Sequence, residues 1–358
     1  MPLGNNPDAC NHIIGFADPI LITGSNGFIG SRVVEKLLMA GYKNLRCFTR
    51  PSSNLDRLYS AIAAAPGARV DVIRGNLLCR NDCAKATKDV ALIFHLAAGI
   101  EKTFPGSFMN SVVTTRNILD AAITVGQVRR FVNISSFAVY SNWHLRRGAI
   151  LDETCPLESN PLERSEPYVF AKLKQDELLA EYSTKYGIPH VTLRPGAVYG
   201  PGAQQLTARV GIDTFGLFLH LGGSNTIPLT FVDNCADAIM LAGITFGIDG
   251  EVFNVVDDEL PSSRTLLKMY KKYAKHFPSL YVPYSLFYAF SWAWETYSRR
   301  SRGQLPPVFN RRRCSAYWKG NKYSNRKLHE RLGWSPAVSY LEATARYFEY
   351  VRQANNKC

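Results

Sequence analysis

The sequence has no C-x-x-C pair and no histidine at ligand spacing, and its eight cysteines (Cys10, Cys47, Cys79, Cys83, Cys155, Cys235, Cys314, Cys358) are scattered. That pattern gives no disulfide framework and no metal site, so reduced thiols and no metal are expected. No uninterrupted apolar stretch reaches the length of a membrane span. The opening M-P-L-G-N-N-P-D-A-C-N lacks the basic segment and apolar run of a leader, and a cytoplasmic protein without a transmembrane segment is the expectation. Acid is scarce late in the chain. From Arg299 to Arg331 eleven basic residues (Arg299, Arg300, Arg302, Arg311, Arg312, Arg313, Lys319, Lys322, Arg326, Lys327, Arg331) face the single acid Glu330. Such a stripe reads as solvated surface or as a place for anions; it holds no recognised nucleic-acid module, so no nucleic-acid partner is expected.

What is present is an ordinary globular composition: 358 residues, 46% hydrophobic, net charge +13. That length buries a large core as one big domain or two coupled ones. Pro19 to Thr23 is a short apolar run ending in glycines, which reads as a buried parallel strand. It is followed by G-S-N-G-F-I-G, containing Gly24, Asn26, Gly27, Phe28, Ile29 and Gly30, and then by a helical pattern. Glycines there permit a tight turn, close approach of backbone to a pyrophosphate, and close packing of helix on strand, with the helix N-terminus facing the anion. A dinucleotide site is the reading. The second strand, L-R-C-F-T-R, ends without an acid for the ribose 2′-hydroxyl of NAD; Arg50, with Ser52 and Ser53 beyond it, suits the 2′-phosphate of NADP. NADP is therefore placed first and NAD second.

Further along, Y-V-F-A-K puts Tyr168 and Lys172 four residues apart. On a helix these share a face, so phenol and ammonium point into the same space. A fixed cation favours the phenolate and makes an acid/base group of the tyrosine. Upstream, R-F-V-N-I-S-S reads as a strand that ends on a serine pair.

The order of these motifs resembles the extended branch of the short-chain dehydrogenase/reductase superfamily, in its NAD-dependent epimerase/dehydratase family, over roughly residues 20 to 350. The glycine spacing G-x-x-G-x-x-G is similar to that branch. Gly75-Asn76-Leu77 stands where the family has G-D-L, with a side chain that contacts adenine. His95-Leu96-Ala97-Ala98 resembles its H-x-A-A turn beside the cofactor; His95 itself is read as structural. The resemblance places the catalytic hydroxyl on Ser136 and completes a Ser136-Tyr168-Lys172 set. It implies cofactor contacts from Asn76, Leu77, Leu96, Ala97, Ala98, Tyr168, Lys172, Pro195 and Val198, the last two in the segment similar to R-P-x-x-V-Y-G-P. One helix departs from the family: S-V-V-T-T-R-N stands where N-V-x-G-T-x-N is common, so Ser111 occupies the place of the asparagine that supports the lysine. Asn110 falls one residue early and is not assigned as catalytic. The implied fold is α/β, a Rossmann-type doubly wound parallel sheet over 1–195 with parts of 228–256, and a smaller substrate-binding lobe over 196–227 and 257–358. A homodimer through helices near Ser107 to Val125 and Pro167 to Tyr186 is implied as well.

The reaction the resemblance implies is hydride transfer between a secondary alcohol or ketone and the nicotinamide, with Tyr168 exchanging the proton, Lys172 lowering its pKa, and Ser136 orienting the substrate oxygen. Phe137 and Ala138 follow Ser136, without the acid found in dehydratases and decarboxylases of this branch. A sugar-nucleotide epimerase or reductase is placed first, since a diphosphate could use the late arginines. A 3β-hydroxysteroid or sterol-type dehydrogenase is the alternative, because F-V-D-N, D-D-E-L-P-S-S and L-P-P-V-F-N-R resemble that family's C-terminal half. A non-catalytic NAD(P)-sensing protein is the reading from another class. The aromatic run Tyr281 to Tyr297 reads as core or substrate wall, and peripheral contact with a membrane surface is a further possibility.

Overall fold

A computed structural model describes residues 12–99, 101–203, 206–301 and 304–355. Cys10, Cys358 and Arg302 lie outside the described residues, and the six described cysteines are free.

Seven strands form one sheet: β1 (Ile20–Thr23), β2 (Asn44–Thr49), β3 (Arg69–Arg74), β4 (Leu92–His95), β5 (Arg130–Ile134), β6 (His190–Pro195) and β7 (Val252–Val255). Their order is β7-β6-β5-β4-β1-β2-β3, and every pairing is parallel. Such a sheet needs cover on both faces. Its strands accordingly alternate between two cores: Ile20, Ile22, Leu92, Phe94 and Val132 point to one side, and Leu21, Ile93 and Phe131 to the other. On the first side lie helices α1 (Gly30–Met39), α2 (Asp56–Ala63) and α6 (Val232–Ile244); on the second lie α3 (Arg80–Thr87), α4 (Thr114–Val125) and α5 (Pro167–Tyr186). The sequence-expected strands agree with these within a residue or two at their ends.

The chain runs outward from β1 to β3, then returns and continues in the opposite direction from β4. Adjacent strand ends that diverge in this way open a crevice at the carboxyl edge, the usual ligand position of such sheets. Here the crevice falls between Thr23 and His95, which are paired in register.

The remainder of the chain builds on the β6–β7 side. Ala197–Tyr199 pairs with Leu229–Phe231, and Gly211–Thr214, Leu217–His220 and Ser279–Tyr281 make a three-stranded sheet. Helices α7 (Ser263–Tyr273), α8 (Tyr284–Arg300), α9 (Arg311–Trp318), α10 (Arg326–Leu332) and α11 (Tyr340–Asn355) cover it and return to the main body. Leu328, Leu332 and Trp334 enter the same core as Ile20, and Trp334 Nε1 donates to the Asn234 carbonyl at 3.1 Å.

The aromatic run lies on α8, whose Phe287, Ser291, Glu295 and Ser298 are buried while Leu286, Phe290, Trp292 and Tyr297 are exposed. Among the described residues no helix is long and apolar enough to cross a membrane.

The turn between β1 and α1 is the tightest joint. A Cβ at Gly30 would lie 2.1 Å from the Gly24 carbonyl oxygen, and one at Gly24, where φ is +69°, would lie 2.9 Å from the Ala97 nitrogen. Gly30→Ala should therefore lower the unfolding free energy in urea by about 1–3 kcal/mol, the usual cost of overpacking. An unchanged midpoint would show that helix and turn are not in this contact.

Candidate active site

The crevice at the carboxyl ends of β1, β2 and β4 is a cleft of about 370 Å³. Of the residues expected to hold a dinucleotide, Gly24, Asn26, Gly27, Arg50, Asn76, Leu77, Leu96, Ala97 and Ala98 line it, joined by Thr49 and Glu101. The others serve nearby. Gly30 packs against Gly24, and Ile29 leans on the core below. Phe28 faces a neighbouring hollow with Arg57 and Gly202. Pro195 is buried in register with Val255, and Val198 packs on the core from the short strand beyond. The cleft fits a dinucleotide: the Gly24 and Gly30 positions exclude any Cβ, which leaves the turn's backbone open to a pyrophosphate.

His95 is enclosed between two hydroxyls. Its Nδ1 lies 2.9 Å from Thr23 Oγ1 and its Nε2 lies 2.9 Å from Thr115 Oγ1. Thr115 already donates to the Ser111 carbonyl at 2.6 Å, so its oxygen accepts the Nε2 proton and Nδ1 accepts from Thr23. Burial holds the imidazole neutral, with its pKa pushed down to about 3.

The expected triad converges at the end of β5. Ser136 caps a short 3₁₀ turn, accepting from the Ala138 N–H at 3.1 Å, and its hydroxyl lies near enough to the Tyr168 phenol to pull that group's pKa down. Lys172, buried on α5, donates to the Ile134 carbonyl at 2.6 Å and to Gln175 Oε1 at 3.0 Å. Burial lowers its pKa to about 8, partly offset by Asp176.

One expectation needs correction. Burial, with a smaller contribution from Asp176, raises the Tyr168 pKa while the Ser136 hydrogen bond lowers it; Lys172 is not among the groups acting on it. The physical reason is the direction of the ammonium, which is turned into the strand end rather than along the helix face.

The departing helix shows its irregularity directly. A π-helical turn spans Phe108–Val113, and such turns accommodate one extra residue in a helix. Asn110 donates to Glu101 Oε1 at 3.1 Å, and the Ser111 carbonyl is occupied by the Thr114 and Thr115 hydroxyls. Neither residue supports Lys172 here; Gln175 and Ile134 do.

Sequence reasoning missed Gln175, Asp176 and Arg194. Asp176 Oδ1 accepts from Asn133 at 2.9 Å, its Oδ2 accepts from Ser135 at 2.7 Å, and Arg194 stands 3.4 Å away. The available signal was periodicity, since Asp176 follows Lys172 by four residues on the same helix face. The late basic stretch is partly solvated, with Arg299, Arg300, Lys322, Arg326 and Arg331 exposed, and partly tied to acids. Arg299 and Arg311 pair with Glu295, Arg312 with Glu158 and Glu163, Arg313 with Glu166, and Lys327 and Arg331 with Glu251.

Comparisons with known proteins agree with this geometry. Residues 20–255 match the NAD dependent epimerase/dehydratase family. Cinnamoyl-CoA reductase 1 of Oryza sativa subsp. japonica is 29% identical over 205 residues, which are 57% of this chain and 60% of that enzyme, so the chain spans less than two thirds of this relative. Sterol-4-alpha-carboxylate 3-dehydrogenase, decarboxylating, of Bos taurus is 23% identical over 357 residues, covering 93% of each chain. The crystal structure of UDP-glucuronic acid 4-epimerase from Bacillus cereus, in complex with UDP-glucuronic acid and NAD, is similar in fold with a TM-score of 0.70 at 22% identity, covering 94% of this chain and 99% of that one.

The lysine carries a pH signature. Its folded pKa lies below the ordinary 10.5, so between about pH 8 and 10.5 the unfolded chain binds more protons at this site and stability rises with pH. Compared with Lys172→Met in urea unfolding, the wild-type chain should gain relative stability across that window. Parallel pH profiles for the two chains would place the ammonium in water instead.

Proposed function

The chain belongs to the NAD dependent epimerase/dehydratase family, and from that premise we propose that it is an NAD(P)-dependent oxidoreductase interconverting a secondary alcohol and a ketone. The observation that carries the proposal is that Ser136, Tyr168 and buried Lys172 gather just past the end of β5, at the strand edge that also bears the glycine-lined cleft. When bound, the nicotinamide supplies the hydride acceptor or donor.

The protein's own residues do the rest. Gly24, Asn26 and Gly27 hold the pyrophosphate, and Asn76 and Leu77 bound the adenine end. Ser136 orients the substrate oxygen and Tyr168 gives or takes its proton. Burial raises the pKa of the phenol, which donates its proton when a ketone is reduced and regains it when the alcohol is oxidised. Lys172, held by the Ile134 carbonyl and Gln175, has a pKa near 8 that leaves it protonated at neutral pH. Residues 196–227 and 257–358 are assigned to substrate binding.

Beside Ser136 lies a buried apolar cluster. Phe137 packs edge-on to Tyr323 with ring centroids 5.5 Å apart and tilts against Tyr140 at 5.7 Å, in a cluster with Leu151 and Val256. Arg299, Arg311, Arg312, Arg313, Arg326 and Arg331 are joined to acids of the same chain, which removes much of the charge available to a diphosphate. Both observations favour an apolar alcohol of the hydroxysteroid kind. A sugar nucleotide is the second reading, supported by Arg209, a cation beside Tyr323 that donates to the Ala316 carbonyl and the Tyr323 hydroxyl.

For the cofactor, NADP is preferred over NAD. Arg50 lines the cleft at the end of β2, where no acidic side chain follows the strand. Arg50→Ala should raise KM for NADP about tenfold, the scale of one charge-assisted hydrogen bond, with NAD little affected; equal effects on both would remove the 2′-phosphate assignment.

The test of function is a turnover screen of 3β-hydroxysteroids and sugar nucleotides with both cofactors, following nicotinamide absorbance and separating products so that a closed-cycle epimerase is not overlooked. Tyr168→Phe should abolish turnover while dinucleotide binding, read by fluorescence, survives. Unaltered turnover in that variant would refute the mechanism, and a wild-type chain that binds but converts nothing would favour the sensing role.

A further inference from the structure

Two residues before the tyrosine, Glu166 gathers an unusual set of partners. Arg164, itself 1% exposed, donates its Nε–H to Glu166 Oε2; Tyr317 donates its hydroxyl to Glu166 Oε1 at 2.8 Å, and Arg313 stands 3.5 Å from the same oxygen. Arg164 also donates to the Ala138 carbonyl at 2.7 Å. Ala138 is the residue whose N–H is held by Ser136 Oγ. A continuous chain of contacts therefore runs from Glu166, at the N-terminus of the helix carrying Tyr168, through Arg164 and Ala138 to Ser136. We propose that Arg164 and Glu166 are positioning residues that fix the Ser136 hydroxyl against the Tyr168 phenol, with helix α9 clamping the pair from the C-terminal part of the chain.

Several independent contacts converge on this arrangement. Buried Asn310, the cap of α9, donates to the Arg164 carbonyl at 3.0 Å, so the same helix start holds the arginine's backbone. Arg312 ties α9 to Glu158 and Glu163, both just ahead of this segment in the chain, and Lys319 donates to the Asn142 and Trp143 carbonyls just beyond the serine turn. Ser165, between the two paired residues, has φ +58°, a left-handed conformation that a serine adopts only where its surroundings enforce it. A buried ion pair fully supplied with hydrogen bonds gives little stability relative to an apolar pair, but it fixes geometry. Small displacement of a reacting group is costly in rate, about a hundredfold for 1 Å.

The inference rests on the reading of Ser136 and Tyr168 as the reacting hydroxyls, so its test has one readout that needs turnover and one that does not. Full-length Arg164→Met, Arg164→Lys, Glu166→Gln and Tyr317→Phe are compared with wild type, with NADP present. Amide hydrogen exchange is followed on peptides covering 134–143 and 164–172, and kcat and KM are measured on the substrate found by the screen. Arg164→Met and Glu166→Gln should speed exchange in those two peptides and leave the β1–α1 peptides as they were. They should lower kcat about a hundredfold with KM for NADP unchanged, and Arg164→Lys should restore part of the loss. If Arg164→Met fails to fold, Glu166→Gln and Tyr317→Phe test the same hub. Unchanged exchange in both peptides overturns the clamp. Faster exchange with kcat unchanged, or with KM for NADP rising as much as kcat falls and no rescue by lysine, reduces it to general stability and overturns the positioning role. Turnover surviving in Tyr168→Phe would instead overturn the functional reading, and the exchange result would still decide whether the clamp exists.

Discussion

A buried ammonium governs the arrangement. Lys172 Nζ has left water for a place between the Ile134 carbonyl and Gln175, with Asp176 as its nearby countercharge. Removing a cation from water is expensive unless dipoles and opposite charge surround it. The surrounding polar groups are consequently drawn together: Asp176 binds Asn133 and Ser135 from β5 and its margin, and Arg194 from β6. Helix α5 is thereby fixed to the carboxyl ends of two strands, and the tyrosine one turn ahead of the lysine is placed with it. Tyr140 continues the network outward, with Arg194 4.8 Å from its ring centroid and its hydroxyl donating to Asn254 Oδ1 at 2.7 Å.

The glycine turn and this polar cluster complement each other. At the turn, absence of side chains lets β1 approach the Leu96–Ala97 backbone, and the crevice stays open to an anion. At the cluster, Lys172, Gln175, Asp176, Asn133, Ser135 and Arg194 hold one another by hydrogen bonds and an ion pair, with Asn133 Oδ1, Gln175 Nε2 and Arg194 Nε left without a partner among the described residues. One region is built to admit a ligand and the other to hold a reactive geometry once it is there. His95 stands between them, neutral and fixed by two threonines, which keeps a second titrating group out of the proton exchange.

How much of this could be read in advance followed sequence distance. The strands, the glycine turn and the Tyr168–Lys172 spacing are local patterns, and each was legible because period and turn chemistry reside in adjacent residues. The serine pair at a strand end says little by itself, and Ser136 was singled out only through the family resemblance. Partners far apart in the chain were not. Arg312 looks like one of a row of surface cations, yet its acid is Glu158, 154 residues earlier. The direction of the Lys172 ammonium was equally hidden: helical spacing puts it on the face of Tyr168, but a strand-end carbonyl captures it. The π turn at Phe108–Val113 explains why the helix there matched its expected pattern one residue out of step.

The tryptophan that enters the first core from the far end of the chain has an effect on biogenesis. Ile20 and Trp334 belong to one apolar cluster, so the earliest strand to leave the ribosome lacks part of its cover until more than three hundred residues have followed. At roughly 5–20 residues per second that interval is about 15–60 s, during which the apolar cluster around β1 lacks its last members. Parallel pairings between distant segments are slow to form in any case. A nascent chain of this kind is a natural client for holding chaperones, and truncation before residue 334 would leave a hydrophobic face that no other part of the molecule can close.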